Sequence, residues 1–536
     1  MIYLKRFFFK FFKQIRNIYL NSKIYDKKIS KINDKDLSYK PSPHLLTSLI
    51  NYQKKKSRIE EFSLNKIWEN NNLSSKDFKN LNNFYWFFSL DLKSSKQTTQ
   101  SVIKNWINNN RKYNFKSWDF DITAKRIIAW LSCHSLTYED GDLNYINDFN
   151  KIIKKQTNHL INEINYSKFL DDKLIGCASI ILVGLCYKNE KEYLSFGETL
   201  LKKISKISLD NNGFPKSRSI KQLIFYLKYF ILIREWFKES NINVPGHIEE
   251  TIYLLGKGYA FIHQNTETDF LFNGNNKSKN IEFDNYLKRF GYKFKNEDYD
   301  FGGYCILKNK KICLIMDTGS SPSSKYSKDY QAGALSFEII SGGKKLISNC
   351  GYHKIDNAEL NKLSKSTAAQ STLVIDDNSS CRFEKVNNNW LLKRGLRVIK
   401  KNSIYEKDYW KINASHDGYI KNFNTVHERE IEFFPEHMKF IGTDRIIKKK
   451  INHNYKFDIR FHVEPNVKLM KTQDNKTILI DLEDEGWKFT CDNFDINIDN
   501  GLYFGNKNLF TENQNIFISG ISNNQKDKIK WELKKI

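Results

Sequence analysis

The sequence predicts an α+β multidomain protein, with a helical N-terminal part followed by a C-terminal antiparallel β-sandwich. Three observations predict it. A chain of 536 residues is too long for one ordinary hydrophobic core and divides into domains. From about Leu64 to Gln264 apolar residues recur at three- and four-residue spacing, the period of amphipathic helices. After about Asp284 the pattern changes to short alternating runs bounded by Gly, Asn and Asp, the signature of sandwich strands. Helices first and strands second is the order of a two-domain α-then-β protein. The implied boundaries are a basic arm over 1–60, a helical domain over 61–285 and a β-domain over 286–536.

Within the helical part the clearest segments are Ile103-Trp106-Ile107, Ala124-Ile127-Ile128-Trp130-Leu131, Ile175-Ile180-Ile181-Val183-Leu185 and Leu223-Ile224-Leu227-Phe230-Ile231. Loops rich in Asn, Asp and Gly separate them, as at Glu139–Asp142 and Asp210–Gly213. Successive antiparallel helices of this length fit either an α/α toroid or a helical bundle. In the β-part, Tyr304–Met316, Ala334–Ile340, Lys345–Ser348, Thr372–Ile375, Val426–Phe433 and Ile478–Leu482 read as strands.

The opening segment, MIYLKRFFFKFFKQIRNIYL, is basic and aromatic. It has no uninterrupted apolar run and is too charged to span a bilayer. No small-residue cleavage site follows, so no cleavable signal peptide is evident. Phe7, Phe8, Phe11, Phe12, Ile15 and Tyr19 share one face of a helix, with Lys and Arg opposite. Such a face packs on the protein's own core, the preferred reading, or makes a peripheral membrane contact through residues 1–20.

Composition narrows the partners. With 40% hydrophobic and 14% aromatic residues the chain can bury large cores. The formal charge of +26, from 87 Lys and Arg against 61 Asp and Glu, fits a polyanionic partner. It fits equally a general enrichment in Lys, Asn and Ile, because Pro (7) and Met (4) are scarce. Lysines are scattered along the chain with no nucleic-acid-binding motif around them, so no nucleic acid partner is expected. The eight cysteines have no CxxC or finger spacing and lie mostly in apolar runs. They read as small buried hydrophobes rather than a disulfide framework.

Ala334-Leu335-Ser336-Phe337-Glu338 is followed by Asn349-Cys350-Gly351 and by Ser366-Thr367-Ala368-Ala369. This series resembles the β-domain signature of the heparinase II/III-like polysaccharide lyases, in which H-A-D-A-L-S-F-E-L precedes an Asp-x-Gly turn and a T-A-A-H strand. The likeness extends into the helical part. Trp118-Asp119-Phe120-Asp121 with Arg126-Ile127-Ile128-Ala129-Trp130 resembles the family's W-x-P-Y-x-x-S-x-R-I-x-N-W helix. Asp172-Lys173-Leu174-Ile175-Gly176 resembles its N-H-L-x-x-N segment, and Asn212–Ser219 its D-G-G-H-x-x-R-S-P loop. Ser415-His416-Asp417-Gly418-Tyr419 with Val426-His427-Glu428-Arg429 is similar to its later H-D-G-Y and H-x-R strands. The resemblance covers about residues 65 to 465 and implies an incomplete α/α toroid followed by a β-sandwich. It also implies an acidic polysaccharide as partner and a periplasmic or cell-envelope location.

The chemistry the resemblance implies is β-elimination across a uronic acid. The enzyme must neutralise the substrate carboxylate as charge develops on the adjoining carbon. A Tyr or His takes the proton, and an acid protonates the leaving glycosidic oxygen. Family members supply an Asn or His from a toroid helix, a Tyr about a helix later and a His from the β-domain. Many also hold a structural zinc through two His and one Asp. Here Asp172 and Lys173 stand where Asn-His is expected, and Gln222 falls near the expected Tyr, with Tyr226 one turn on. Gln331, Asn349 and Gln370 stand where the three zinc ligands are expected, and Gly333 replaces a further Asp.

Zinc prefers His, Cys and carboxylate ligands, so no metal or other cofactor is expected at the three amides. They are expected to hydrogen-bond one another and hold the strands together. If the chain is active, the residues expected to act are Lys173 or Arg218 on the carboxylate and Tyr226 or Tyr330 as base. Asp172, Gln222, Trp118, Gln331 and His416 are the expected substrate contacts. Each has a plainer reading beside it: a solvated helix face for Lys173 and Arg218, packing for Trp118 and the tyrosines, a hydrogen-bonded structural imidazole for His416. The function expected is therefore a heparinase II/III-like lyase cleaving acidic polysaccharide with an altered active site. The alternative is a non-catalytic glycan-binding or cell-envelope-associated protein that retains the lyase fold.

Overall fold

Helices fill the first part of the chain and antiparallel strands the last, the order that the two hydrophobic periods predict. The computed structural model describes residues 14–31, 37–50, 56–61, 73–187, 191–263, 269–277, 281–354, 357–386, 389–449, 454–506 and 510–536. The chain divides into two units. The first comprises Met1–Ser208, Phe225–Tyr253 and Asn280–Lys293; the second comprises Leu209–Ile224, Leu254–Lys279 and Phe294–Ile536.

The long helices are α1 (Lys96–Asn109), α2 (Phe120–Ser132), α3 (Leu143–Glu163), α4 (Leu170–Cys186), α5 (Lys191–Ser208), α6 (Ile220–Glu239) and α7 (Gly246–His263). The loops start helices with side-chain caps: Ser95 Oγ accepts from Thr98 N at 3.1 Å and Asp142 Oδ1 from Tyr145 N at 2.8 Å. In the first unit α4 is buried at every residue from Leu174 to Cys186. A helix apolar all round is the centre of a layered helical domain, and α4 packs on α2, α3 and α5. Gly184 and Gly197 permit the α4–α5 approach. A Cβ on Gly184 would lie 2.7 Å from Leu194 N, and one on Gly197 would lie 2.5 Å from Ile181 Cγ1. These successive hairpinned helices form the incomplete α/α toroid.

Arg126 locks the α2–α3 pair from inside. Its guanidinium lies 3.9 Å from the Trp106 ring centroid and donates to Gln156 Oε1 at 3.0 Å, Asn82 O at 2.8 Å and Ser117 O at 3.0 Å. That is why an Arg recurs inside an otherwise apolar helix: its donors collect carbonyls that would otherwise be buried without partners.

The second unit is antiparallel throughout its named sheets. A five-stranded sheet runs in the order β1-β2-β3-β4-β5, formed by Asp300–Phe301, Tyr304–Lys308, Ile312–Asp317, Phe337–Ser341 and Lys344–Ile347. The following strands are β6 (Leu373–Ile375), a separate hairpin of β7 (Arg382–Val386) and β8 (Asn389–Arg394), β9 (Val398–Tyr405), β10 (Trp410–His416) and β11 (Thr425–Phe434). Then come β12 (Lys439–Lys448), β13 (Tyr455–His462), β14 (Lys468–Lys471), β15 (Thr477–Asp481), β16 (Gly486–Cys491), β17 (Ile496–Tyr503), β18 (Thr511–Ser522) and β19 (Lys526–Lys535). An eight-stranded sheet has the order β14-β15-β16-β19-β12-β11-β10-β9, and a four-stranded one β17-β18-β13-β6.

Burial alternates strictly along β11, as a strand with one dry face must. The inward faces of the three larger sheets meet in one core. Phe337 of the five-stranded sheet stacks on Trp531 of the eight-stranded one at 5.6 Å, and Phe461 of the four-stranded one lies 5.0 Å from the same ring. The contact depends on Gly442, the cross-strand partner of Trp531: a Cβ there would sit 1.9 Å from the indole.

All eight cysteines are free and buried, as their apolar surroundings predict. Phe7, Phe8, Phe11 and Phe12 lie outside the described residues. Of the same expected face, Ile15 and Tyr19 are 48% and 41% exposed, so core packing does not account for these two. Among the described residues no helix is long and apolar enough to cross a membrane.

Two stability predictions follow from the packing. Burial holds His159 down to about 3 and His462 to about 4, and depresses His416 and His427 as well. Unfolding restores each to about 6.5, so below that pH the unfolded chain takes up more protons than the folded one. Stability is then complete above about pH 6.5 and falls on acidification, by up to about 1.4 kcal/mol per histidine per pH unit. Urea midpoints measured from pH 7.5 to 5 should decline steeply, and a flat profile would contradict neutral burial. Gly442→Ala should lower stability by about 1–3 kcal/mol or more; an unchanged melting temperature would mean the strands part without cost.

Candidate functional site

In the second unit two connected polar networks hold several of the residues that the motifs single out. Arg218, in the loop before α6, adopts φ +62°, the left-handed region. Its Nη2 donates to Asp317 Oδ1 at 2.7 Å and Gly303 O at 2.8 Å, and its Nη1 donates to Gly319 O at 2.9 Å. The ring of Tyr304 lies 5.0 Å from the guanidinium, and the Tyr304 hydroxyl donates to Arg218 O at 2.6 Å. Gly303 and Gly319 leave the room, since a Cβ on either would lie within 2.6 Å of the guanidinium. Burial alone would lower the Arg218 pKa, but Asp317 outweighs it and the group is held more firmly protonated.

Asn273 Nδ2 reaches Asp317 Oδ2 at 3.4 Å, and Asn273 Oδ1 accepts from Gln331 N at 3.2 Å. Gln331 Nε2 then donates to Gly351 O at 2.9 Å and Ser364 O at 2.7 Å, while its Oε1 accepts from Gly274 N at 3.1 Å. Gln370 Nε2 donates to the same Ser364 carbonyl at 3.3 Å. Asn349 Oδ1 accepts from Ser371 N at 2.8 Å, and both its nitrogens donate to Glu338 Oε1, at 3.0 and 3.3 Å. Glu338 in turn faces Lys345 at 2.8 Å, with both side chains wholly buried. The three amides therefore do not bond one another as expected. They converge through shared neighbours: Gln331 and Gln370 through Ser364, Gln370 and Asn349 through the following Ser371.

A zinc ion does not fit this arrangement. Gln331 turns both amide hydrogens onto carbonyls, and Asn349 Oδ1 is taken by a backbone N–H. Glu338 is paired with Lys345. The nearby His462 points Nδ1 at Cys350 Sγ, 3.3 Å away, and Nε2 at Ala368 O, 3.0 Å away. With its Nε2–H on a carbonyl, this neutral imidazole accepts from the Cys350 thiol, which burial pushes up to about 12. No carboxylate or imidazole is left to coordinate a dication.

Tyr330 is a correction to the expected base. It is 1% exposed, its hydroxyl lies 3.2 Å from Ser321 Oγ, and burial raises its pKa well above 10. The phenol is enclosed, with its hydroxyl against Ser321. Its carbonyl shares Lys365 Nζ with Ser327 O and Lys328 O, at 3.2, 3.3 and 2.6 Å. Burial lowers this ammonium to about 8, against the pull of Asp329.

His416 is likewise not at a surface. Gly418 N donates to its Nδ1 at 3.0 Å, so Nε2 carries the hydrogen and faces His427 Nδ1 at 3.3 Å. His427 Nε2 then donates to Asp444 Oδ1 at 2.7 Å. Arg429 grips the same carboxylate in a two-pronged pair at 2.8 and 3.0 Å, and Trp531 Nε1 adds a fourth donor at 3.0 Å. His416 is the end of a fixed relay, not a sugar contact. Gln222 is half-buried, and its Oε1 accepts from Ser217 Oγ at 2.6 Å.

The first unit holds the remaining candidates. Trp118 is 1% exposed and donates to Asn110 O at 3.1 Å with its ring 5.4 Å from His159, so no ring face is left for a sugar. Tyr226 is fully buried with its hydroxyl. Asp172 and Lys173 are half-buried in the first turn of α4. Burial, and then Lys203, lowers the Lys173 ammonium. Around this helix start lysines and aspartates alternate in ion pairs. Lys79 lies 3.4 Å from Asp119 and 3.8 Å from Asp121, with Asp172 adding to its field, and Lys125 lies 3.7 Å from Asp121. Tyr229, 3.4 Å from the Tyr85 hydroxyl, is pushed up to about 12 by burial, with Asp171 adding to the rise.

Asp317, Asn273, Lys365 and Asp444 are central to these networks and were not singled out from the sequence. Asp444 left a trace there: in Phe440-Ile441-Gly442-Thr443-Asp444-Arg445-Ile446 it falls on the inward phase of a strand.

Comparison with known proteins agrees with this geometry. Residues 293–532 match the family described as heparinase II/III-like, C-terminal. The solved structure of heparinase III aligns with a TM-score of 0.69 at 13% identity, covering 96% of this chain and 88% of that one. A heparan sulfate lyase from Pedobacter heparinus aligns with a TM-score of 0.63 at 11% identity, covering 95% and 85%. At these identities the likeness is one of fold. A curated relative, FtsZ-localized protein C of Caulobacter vibrioides, is 24% identical over 248 residues, 44% of this chain and 42% of that protein. The chain thus matches less than half the length of that relative. Residues 293–532 match a heparinase II/III-like C-terminal domain, and the chain as a whole, helical toroid and β-sandwich together, shares the fold of the heparinase III structures.

Proposed function

We infer that this protein binds acidic polysaccharide on a lyase scaffold without cleaving it. One observation carries the reading: the cation and the phenol that the β-domain side offers for elimination are already committed. Arg218 is neutralised by Asp317 and saturated at both Nη atoms, and Tyr330 is a buried phenol. Elimination needs a charge free to meet the uronate and a base free to take a proton. The fold of the lyases and the formal charge of +26 support an anionic glycan as ligand. A cell-envelope location belongs to this reading.

The expected outcome is no rise in absorbance at the unsaturated-uronate band after prolonged incubation with polyuronates and glycosaminoglycans. Affinity electrophoresis in the same polymers should retard the protein. Product from any polymer would restore the altered-lyase reading and overturn this one. Metal analysis of the purified protein should give well under one zinc per chain, and stoichiometric zinc would refute the amide junction.

A second reading has its own observation, the match to FtsZ-localized protein C. On that reading the scaffold serves localisation to FtsZ, and the protein should pellet with FtsZ polymers. Absence from the pellet at micromolar protein would remove it.

A further inference from the structure

The outward face of the eight-stranded sheet carries its charges unevenly. On β11, Glu428, Glu430 and Glu432 point outward and find partners. Arg445 bonds Glu428 at 2.8 Å and Glu430 at 3.1 Å, Lys411 lies 2.7 Å from Glu430, and the Tyr409 hydroxyl reaches Glu432 at 2.5 Å. Two strands away, β19 presents Lys526, Lys528, Lys530, Glu532 and Lys534 on alternate, outward positions. Glu532 is taken by Lys439 at 2.8 Å. The four lysines are exposed, and among the described residues none has a carboxylate within ion-pair distance; the same holds for Lys488 on neighbouring β16.

Register makes this costly. Lys534 sits directly opposite both Lys439 on β12 and Lys488 on β16, and Lys528 sits opposite Arg445. Like charges directly opposite in a sheet destabilise it. A surface serving only solubility would intersperse signs, as β11 and its neighbours do. Alternate residues on a strand are about 6.8 Å apart, so the row is a regular ladder of ammonium groups on a flat face. β12, β16 and β19 expose no aromatic ring, so the face lacks the stacking platform that single-stranded nucleic acid uses.

We propose that the outward face of β19 and β16 is a docking surface for a linear anionic polysaccharide, lying outside the candidate site. Carboxylate or sulfate groups along the polymer pair with Lys526, Lys528, Lys530, Lys534 and Lys488, replacing the missing carboxylates and relieving the like-charge rows. The choice of polymer rests on the glycan reading above; the site itself rests on the uncompensated row.

The test compares the full chain with K528E/K530E/K534E in binding to heparin, polygalacturonate, neutral dextran, duplex DNA and anionic vesicles across a salt series. The reversed variant should bind heparin or polygalacturonate at least about tenfold more weakly at 0.1 M salt. Its plot of log affinity against log salt should be shallower by about one per lysine. Its melting temperature should equal or exceed that of the parent. K112E/K151E/K238E, which changes total charge equally on exposed lysines of the first unit, should lose far less affinity. Equal loss in both variants would assign the effect to net charge and overturn the surface. Row-dependent binding of DNA or vesicles with none of glycans would overturn the polymer class. If the reversed variant fails to fold, K528Q/K530Q/K534Q supplies the same comparison. Cleavage of a glycan by the parent would refute the non-cleaving reading and leave the row's contribution to affinity standing.

Discussion

The carboxylate of Asp444 is the point on which the β-unit is assembled. It is wholly buried, and an ionised carboxylate in such a place is tolerable only when its oxygens are saturated by donors and a cation. Four donors meet it: two from Arg429, one from His427 and one from Trp531. Arg429 and His427 hold it well below the usual carboxylate range in spite of the burial that opposes ionisation. Arg429 then spends its remaining nitrogen on Leu335 O at 3.0 Å and Ser371 O at 2.7 Å. Those carbonyls precede β4 and β6, so one ion pair in the eight-stranded sheet fixes the lead-ins to the five- and four-stranded sheets. Deleting one member of such a pair leaves an uncompensated buried charge, at about 3–5 kcal/mol.

Leu335 shows what that fixation is for. It is fully buried with φ +61°, a conformation that costs a non-glycine residue roughly 1–3 kcal/mol. Its N–H donates to Asp317 O at 2.8 Å, and Asp317 N donates to Ser336 O at 2.9 Å. Asp317 is also the residue whose side chain holds Arg218, another left-handed position of the network. Three left-handed residues thus meet at one aspartate, Leu335 through its backbone and Arg218 and Asn273 through its carboxylate. Strain of this kind persists only where the surroundings over-determine it, and here Arg429 on one side and Tyr304 on the other do so.

The elements were legible because periodicity reports burial directly. Leu174–Cys186 reads as apolar on every face and is the central helix; Val426–Phe433 alternates and is a half-buried strand. The motifs likewise led to the right segments, since Arg218, Gln331, Asn349, Gln370, His416 and His427 all belong to two connected polar networks. Their roles were not legible, because a side chain's role depends on what faces it across the fold. Nothing near Arg218 in the chain announces Asp317, Gly303 and Gly319, each at least eighty residues away. Trp118 and Tyr330 look like sugar-stacking residues until their burial is known. Lys365 sits in a polar stretch, and only the fold turns three carbonyls toward it.

The amide junction ties distant loops together with neutral groups alone. A metal site fixes strands by drawing charged ligands to one point, so losing one ligand leaves the others mismatched. Gln331 does the same positional work with neutral groups: two donors and one acceptor tie residues 274, 351 and 364 together. Gln370 doubles the bond to Ser364, and Asn349 passes the connection to Glu338. The strands keep their places, Arg218 remains clamped by Asp317, and the groups that could move charge are those the fold holds still.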